Sequence, residues 1–249
     1  MIGLQLYSVR RLTGGGFPNL LKVIKEMGFA GVELAGLRDY CREPATLRKL
    51  LDDASLQCCG AHVRLSALCG DKLKETVAFS RAIGNRFLIV PWMILLTRQG
   101  CQERAGFFSA VADKLKAEGL YIGYHAHSCD FRLMAGTTPW DEFFSHTGPD
   151  VVMQLDTGNC LRGGADPATY LARYPGRART MHLKEYGGRS IGEGCVPWRQ
   201  VLDLCAASGR TEWLIIEDEG GGAEALRTVQ RSLDNLRGLL SSGGASLLL

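Results

Sequence analysis

What this chain lacks removes several classes of protein at once. No apolar run comes near the length of a membrane span. The longest, 88–96, is nine residues and contains Pro91, whereas a helix crossing a bilayer needs about 20. No block of lysine and arginine forms the basic stripe that sequence-independent phosphate-backbone binding requires. The 29 Lys and Arg against 26 Asp and Glu leave a net charge of only +3, so nucleic acid is not an expected partner, and neither is a membrane. No charged leader and no small-residue cleavage site precede the apolar opening at 2–7, so no secretion signal is read. There are no CxxC pairs. The nine cysteines are odd in number, and Cys58, Cys59 and Cys205 sit inside apolar runs. That pattern points to buried free thiols in a reducing cytoplasm rather than a disulfide framework or a cysteine zinc site.

What is present is material for one large core: 249 residues, 46% of them hydrophobic. This favours a single domain over 1–249. Short β-rich runs alternate with longer helical patterns along the whole length, the signature of repeated βα units and a parallel sheet. Strands are predicted at 2–7, 31–34, 57–63, 86–90, 121–125, 151–156, 180–184 and 213–218. Eight such strands close a (βα)8 TIM barrel. Between them, Leu20, Leu21, Ile24 and Met27, and likewise Phe107, Val111 and Leu115, recur at helical spacing. A helix is expected from Pro167 with Asp166 as its N-cap.

The segments after the strands hold most of the Gly, His and Trp residues, as in Gly14 to Gly16, Trp92, His127, Gly163 with Gly164, and Gly187 to Gly194. In a barrel they would lie at the C-terminal face, where sites are built. Gly220 to Ala225 matches G-x-G-x-x-A, yet the further strand and the acidic residue of a dinucleotide site do not follow. In a barrel these glycines follow the eighth strand, as an anion-holding turn or simply a turn. The segment from Ser241 to Leu249 is Gly/Ser-rich and then apolar, expected to be mobile or to dock on a neighbour.

Four strands in succession end in a side chain able to hold a metal: His125, Asp156, His182 and Glu217. Neighbouring strands lie about 4.8 Å apart, so four strand-end groups can converge on one ion. Taken singly each has an ordinary explanation, such as a core histidine, an N-cap before Gly158 or part of the acidic run Glu217 to Glu219. Two carboxylates and two imidazoles buried together without a cation would be costly, and the joint pattern favours one divalent ion.

At this point the chain resembles a family, the xylose isomerase-like barrels of sugar isomerases and epimerases, inositol-derivative dehydratases and an endonuclease branch. The resemblance runs through Gly3-Leu4-Gln5-Leu6-Tyr7-Ser8-Val9-Arg10, Met27-Gly28-Phe29-Ala30-Gly31-Val32-Glu33-Leu34 and Gly123-Tyr124-His125-Ala126-His127. It continues in Leu155-Asp156-Thr157-Gly158-Asn159, Met181-His182-Leu183-Lys184-Glu185 and Ile191-Gly192-Glu193-Gly194. It implies metal-ligand roles for Asp156, His182 and Glu217. His125 stands where the family's epimerases carry a carboxylate that serves as a second base, leaving Glu217 as the remaining one. With only five histidines, the multi-metal endonuclease branch is a poor match.

Alternation along a strand puts His125 with His127, and His182 with Lys184, on shared faces. His127 and Lys184 are therefore the expected replacement acid/base groups beside Glu217, although Lys184 could instead form a structural ion pair with Glu33 or Glu185. His62, Arg64, Trp92 and Glu33 are the expected substrate-binding residues at the rim, where aromatic planes and cations suit sugar rings and acidic substituents. The implied chemistry is proton abstraction alpha to a carbonyl of a sugar or polyol, giving an enediolate that leads to isomerisation or epimerisation. Dehydration is the alternative outcome, and a non-catalytic sugar-binding barrel the alternative class. The mixed N/O donor set suits Mn, Zn, Co or Fe, with manganese first on the resemblance. Self-association, to which Leu247 to Leu249 would contribute, is expected by analogy only.

Overall fold

The computed structural model describes residues 1–12, 16–220, 222 and 224–242. Eight parallel strands form a nearly closed barrel: β1 Ile2–Gln5, β2 Gly31–Leu34, β3 Gln57–His62, β4 Phe87–Val90, β5 Tyr121–His125, β6 Val152–Gln154, β7 Thr180–Leu183 and β8 Trp213–Ile216. Their order around the sheet is β6-β5-β4-β3-β2-β1-β8-β7. No regular ladder joins β6 to β7. That seam is closed by a single parallel bridge, Asp156 to His182, in which the His182 amide donates to Leu155 O at 2.9 Å.

Helices α1 Phe17–Met27, α2 Pro44–Asp53, α3 Gly70–Ala82, α4 Arg98–Lys116, α5 Pro139–Phe144, α6 Thr157–Arg162, α7 Pro167–Arg173, α8 Trp198–Ser208 and α9 Ala225–Ser241 surround the strands. Among them α1, α4 and α9 each pack an apolar stripe inward. In α1 the stripe is Leu20, Leu21 and Ile24, with Met27 half-buried, and Gly28 ends the helix in the left-handed region. In α4, Val111 and Leu115 are buried and Thr97 caps the first turn through the Gly100 amide.

Inside the barrel, period two separates an apolar floor from a polar layer. Cys59, Phe87, Ile89, Val152, Trp213 and Ile215 fill the floor. Gly31 leaves room for the Trp213 ring, since a Cβ there would lie 2.9 Å from it. One step further along the strands come Gln5, Glu33, Gln154 and His182, all fully buried.

The predicted strands overrun the observed ones at several ends. β1 stops at Gln5 because its side chain accepts the Tyr7 amide at 3.1 Å and turns Leu6–Val9 into a 3-10 turn. Asp156, Lys184 and Glu217 consequently sit just beyond their strands. Asp166 does cap a helix from Pro167, its carboxylate accepting the Ala168 amide, but α6, of which the sequence offered only the N-cap reading of Asp156, comes before it. The expectations for Gly14 and Gly15, for Gly221 and Ala223 within G-x-G-x-x-A, and for 243–249 of the C-terminal segment, Leu247 to Leu249 included, fall outside the described residues. Among the described residues no helix is long and apolar enough to cross a membrane, and all nine cysteines are free thiols.

Candidate metal centre

The floor of the barrel mouth is a buried network centred on Glu33. One carboxylate oxygen accepts from Gln5 Nε2 at 2.6 Å and from His182 Nε2 at 2.5 Å. The other accepts from Gln154 Nε2 at 2.8 Å, and Gln154 is steadied in turn by Thr180 at 3.1 Å. Gly60 makes this possible, because a Cβ there would meet Glu33 Oε1 at 2.4 Å. His62 Nε2 lies 3.4 Å from both Glu33 and Gln154. Glu33 therefore contacts neighbouring imidazoles and amides from a position with no solvent exposure. Although burial opposes its ionisation, His182 and His62 outweigh that cost and hold its carboxyl below the usual range.

Because Glu33 occupies His182 Nε2, Nδ1 points the other way, 3.1 Å from Glu217 Oε2. Burial alone would make His182 less basic, but Glu33 and Glu217 reverse this and push its pKa up to about 10. Asp156 divides its work. Oδ1 caps α6 by accepting the Asn159 amide at 2.6 Å, so the N-cap reading of this residue is correct as far as it goes. Oδ2 makes no aligned hydrogen bond, although Lys184 Nζ lies 3.0 Å from it. The short separation is an ion pair without hydrogen-bond alignment. Burial is the larger influence on Asp156 and raises it to about 6, against the pull of Lys184.

Lys184 contacts three carboxylates: Asp156, Glu217 at 3.3 Å and Glu219 at 2.8 Å. Burial would lower its ammonium pKa, but these three hold it well above the ordinary lysine value. Neither Glu33 nor Glu185, the partners anticipated from the sequence, is among them. Glu217 shows the converse: burial would raise it, but Lys184 and His182 keep it well below the usual carboxylate range.

The ligand atoms of His125, Asp156, His182 and Glu217 all lie within 4.8 Å of one another, and all four residues are buried. His62, His125 and His182 form an overlapping trio, but the four-residue set brings the two carboxylates that neutralise a dication. Two atoms of it, His125 Nδ1 and Asp156 Oδ2, are buried without a hydrogen-bond partner, and burial keeps His125 neutral by lowering its pKa far below the usual value. A neutral imidazole nitrogen without a hydrogen bond, beside a carboxylate oxygen whose charge Lys184 offsets, is a donor set suited to a divalent cation. The residues fit such an ion.

Above the cluster opens a cavity of about 510 Å³ lined by Tyr7, Ala35, His62, Pro91, His125, His127, Glu217 and Glu219, within the usual range for small-molecule sites. His127 is half-buried with Nδ1 unpartnered, and burial lowers its pKa, so it is a neutral proton acceptor at pH 7. Of the other rim candidates, Trp92 is 56% exposed and stands outside this lining. Arg64 lines an adjoining cavity.

Residues that sequence reading passed over hold the rest in place. Glu185 is buried and takes five donors, the amides of Tyr186, Gly192, Cys195 and Val196 and the Trp198 indole at 2.7 Å, which fixes the 186–197 loop beside Lys184. Glu185→Ala would strand those buried donors and is expected to destabilise the fold by about 3 kcal/mol or more, read from denaturant unfolding. Asp130 accepts the His127 amide at 2.8 Å and the Tyr124 hydroxyl at 3.1 Å. Burial lifts its pKa from 3.8 to about 7. An acid whose folded pKa is raised contributes stability that is complete below the unfolded value and is lost as pH rises through the folded one. Asp130→Asn is therefore expected to flatten the fall in melting temperature between pH 4 and pH 8. An unchanged slope would show that other groups set it.

A parallel barrel with a buried His/Asp/Glu cluster at its C-terminal mouth is the architecture of a metal-competent barrel enzyme. The family model of the xylose isomerase-like TIM barrel matches residues 21–239, and the chain belongs to that family. It is similar to the inosose dehydratase of Lacticaseibacillus casei, 24% identical over 245 residues covering 80% of each chain. Its fold is that of a sugar phosphate isomerase/epimerase from Parabacteroides distasonis, with a TM-score of 0.82 and 23% identity over 98% of each chain. The same fold occurs in an L-ribulose 3-epimerase, with a TM-score of 0.76 and 16% identity over 97% of this chain and 94% of that one.

Proposed function

We propose that this protein is a divalent-metal-dependent isomerase or epimerase of keto-sugars that removes the proton alpha to the substrate carbonyl. The observation that carries the reading is one cavity lined both by His127, from the β5 end, and by Glu217, from the β8 end, directly above the four-residue cluster. These ends stand three strands apart around the barrel, so a substrate between them meets a proton acceptor from two directions.

His125, Asp156, His182 and Glu217 would hold the ion, with manganese the first candidate and zinc, cobalt and iron the others. Bound there, it would supply Lewis-acid polarisation of the substrate carbonyl. The protein's own residues do the rest. Glu217 or His127 accepts the alpha proton, leaving an enediolate. The group that took the proton returns it to the adjacent carbon for isomerisation; for epimerisation the other group, having first taken a proton from solvent, delivers it to the opposite face. Glu33 holds the His182 ring through Nε2 so that Nδ1 faces the cluster, where it would lose its proton on metal binding. Glu33→Gln is expected to lower metal affinity about 10–100-fold, the usual effect of losing a carboxylate behind a ligating histidine, measured by competition with a chelating dye. The thiol-rich composition favours the cytoplasm as the place of action.

Dehydration is the second reading, and one contact favours it. The Lys184 ammonium, just behind the cavity wall, lies 3.3 Å from Glu217 and 2.8 Å from Glu219, both of which line the cavity, so an acid stands directly beside the base. Glu217 would take the alpha proton while Lys184 protonates the departing β-hydroxyl, which leaves as water. The similarity to inosose dehydratases supports the same outcome. Elemental analysis of the purified protein, then incubation of the metal-loaded form with keto-sugars and keto-inositols in D₂O, tests both readings. Deuterium appearing alpha to a carbonyl is expected, and the product separates epimer from enone. No bound metal, no uptake on addition and no exchange would reject the enzyme reading in favour of a sugar-binding barrel.

A further inference from the structure

The site cavity does not end at the metal cluster. A second cavity of about 490 Å³ shares Ala35, His62 and Pro91 with it and runs out between the β2 and β3 loops and α3. Its walls carry three cations, Arg38, Arg64 and Lys72, and two carboxylates, Asp39 and Glu75. Arg38 is engaged by Glu75 at 3.7 Å and lies over the Phe79 ring. Arg64 and Lys72 form no salt bridge with a described residue, and both are exposed. Many other surface cations of the chain have an acidic neighbour, for instance Arg48 with Asp52, Lys49 with Asp53 and Lys116 with Asp150. Other exposed cations among the described residues also lack one, but these two line a cavity joined to the site and so present positive charge to a ligand entering it.

We propose that Arg64 and Lys72 form a subsite for an anionic substituent, phosphate or carboxylate, at the end of the substrate remote from its ketone. Asp39 on the same wall opposes this, but the unpaired charges there still favour an anion by two to one. His62, common to both cavities, marks the passage a linear polyol would follow from the metal cluster to the cations. Arginine suits the role because its planar fork matches two phosphate or carboxylate oxygens, and lysine adds an adjustable point charge. The inference rests on the proposed action on sugars and narrows its substrates to sugar phosphates or sugar acids.

The test uses polyols that carry no ketone and cannot turn over, so it is independent of catalysis. Ribitol, ribitol 5-phosphate and gluconate are titrated calorimetrically into the metal-loaded protein and into an Arg64→Gln/Lys72→Gln variant whose fold is checked by its melting temperature. An affinity at least about tenfold higher for an anionic polyol than for ribitol is expected, since a charge-assisted contact is worth about that factor. Which polyol gains distinguishes phosphate from carboxylate. The preference should vanish in the double variant. Equal or absent binding of all three, or a preference that survives the variant because it resides at the metal, overturns the subsite. Failure of deuterium exchange, by contrast, would reject the reaction and leave this result standing.

Discussion

Glu217→Gln is expected to lower turnover at least about a thousandfold and to weaken metal binding at the same time, with the loss of turnover persisting at saturating metal. The residue touches each part of the machinery. Oε2 lies 3.1 Å from His182 Nδ1 and 3.3 Å from Lys184 Nζ, and the side chain lines the cavity. A positioned general base contributes about 10²–10⁴ in rate, and an amide in its place cannot accept the proton. The same change removes one of the two negative charges from the cluster. Metal affinity should fall by more than the 10–100-fold typical of a supporting residue. Metal content after dialysis and deuterium uptake at saturating metal read the two effects separately. Loss of metal with turnover fully restored at high metal would leave Glu217 a ligand only and pass the base to His127.

The barrel, and the four candidate ligands that the structure brings together, were legible in the sequence because both depend on local pattern. Eight β-rich runs alternating with helical ones define the fold, and His125, Asp156, His182 and Glu217 recur at strand ends whatever lies across the barrel. The partners of those residues were less legible. Glu33 reaches His182 over 149 positions and Gln154 over 121, and no spacing rule links positions so distant. Gln5 and Gln154 carry no charge to attract notice, yet they orient the carboxylate that holds His182. The period-two rule was the available signal: Gln5 and Gln154 share inward faces with Gly3 and Val152, and a glutamine directed into a barrel interior must find a partner. Trp92 stands apart from the cavity lining. An aromatic after a strand suggests a sugar platform, but the β4 loop turns it outward, 56% exposed.

Lys184→Met is expected to reduce turnover about 10²–10⁴-fold while leaving the metal in place. In the metal-free protein the Lys184 ammonium itself neutralises Asp156, Glu217 and Glu219. It therefore competes with any cation for the oxygens of Asp156 and Glu217. Methionine keeps the length and most of the volume of the side chain but removes the charge, so the carboxylates face one another uncompensated and a dication gains attraction. Metal affinity should hold or rise, and the metal-free variant should melt below its parent and recover on metal addition. A residue that served only to hold these carboxylates together would show the same stability behaviour with no loss of turnover in the loaded enzyme, so the rate at saturating metal decides its role. If Lys184 is the proton donor to a departing hydroxyl, the variant should still exchange deuterium alpha to the carbonyl but form little dehydrated product. Equal loss of exchange and product would place Lys184 at the first proton transfer instead.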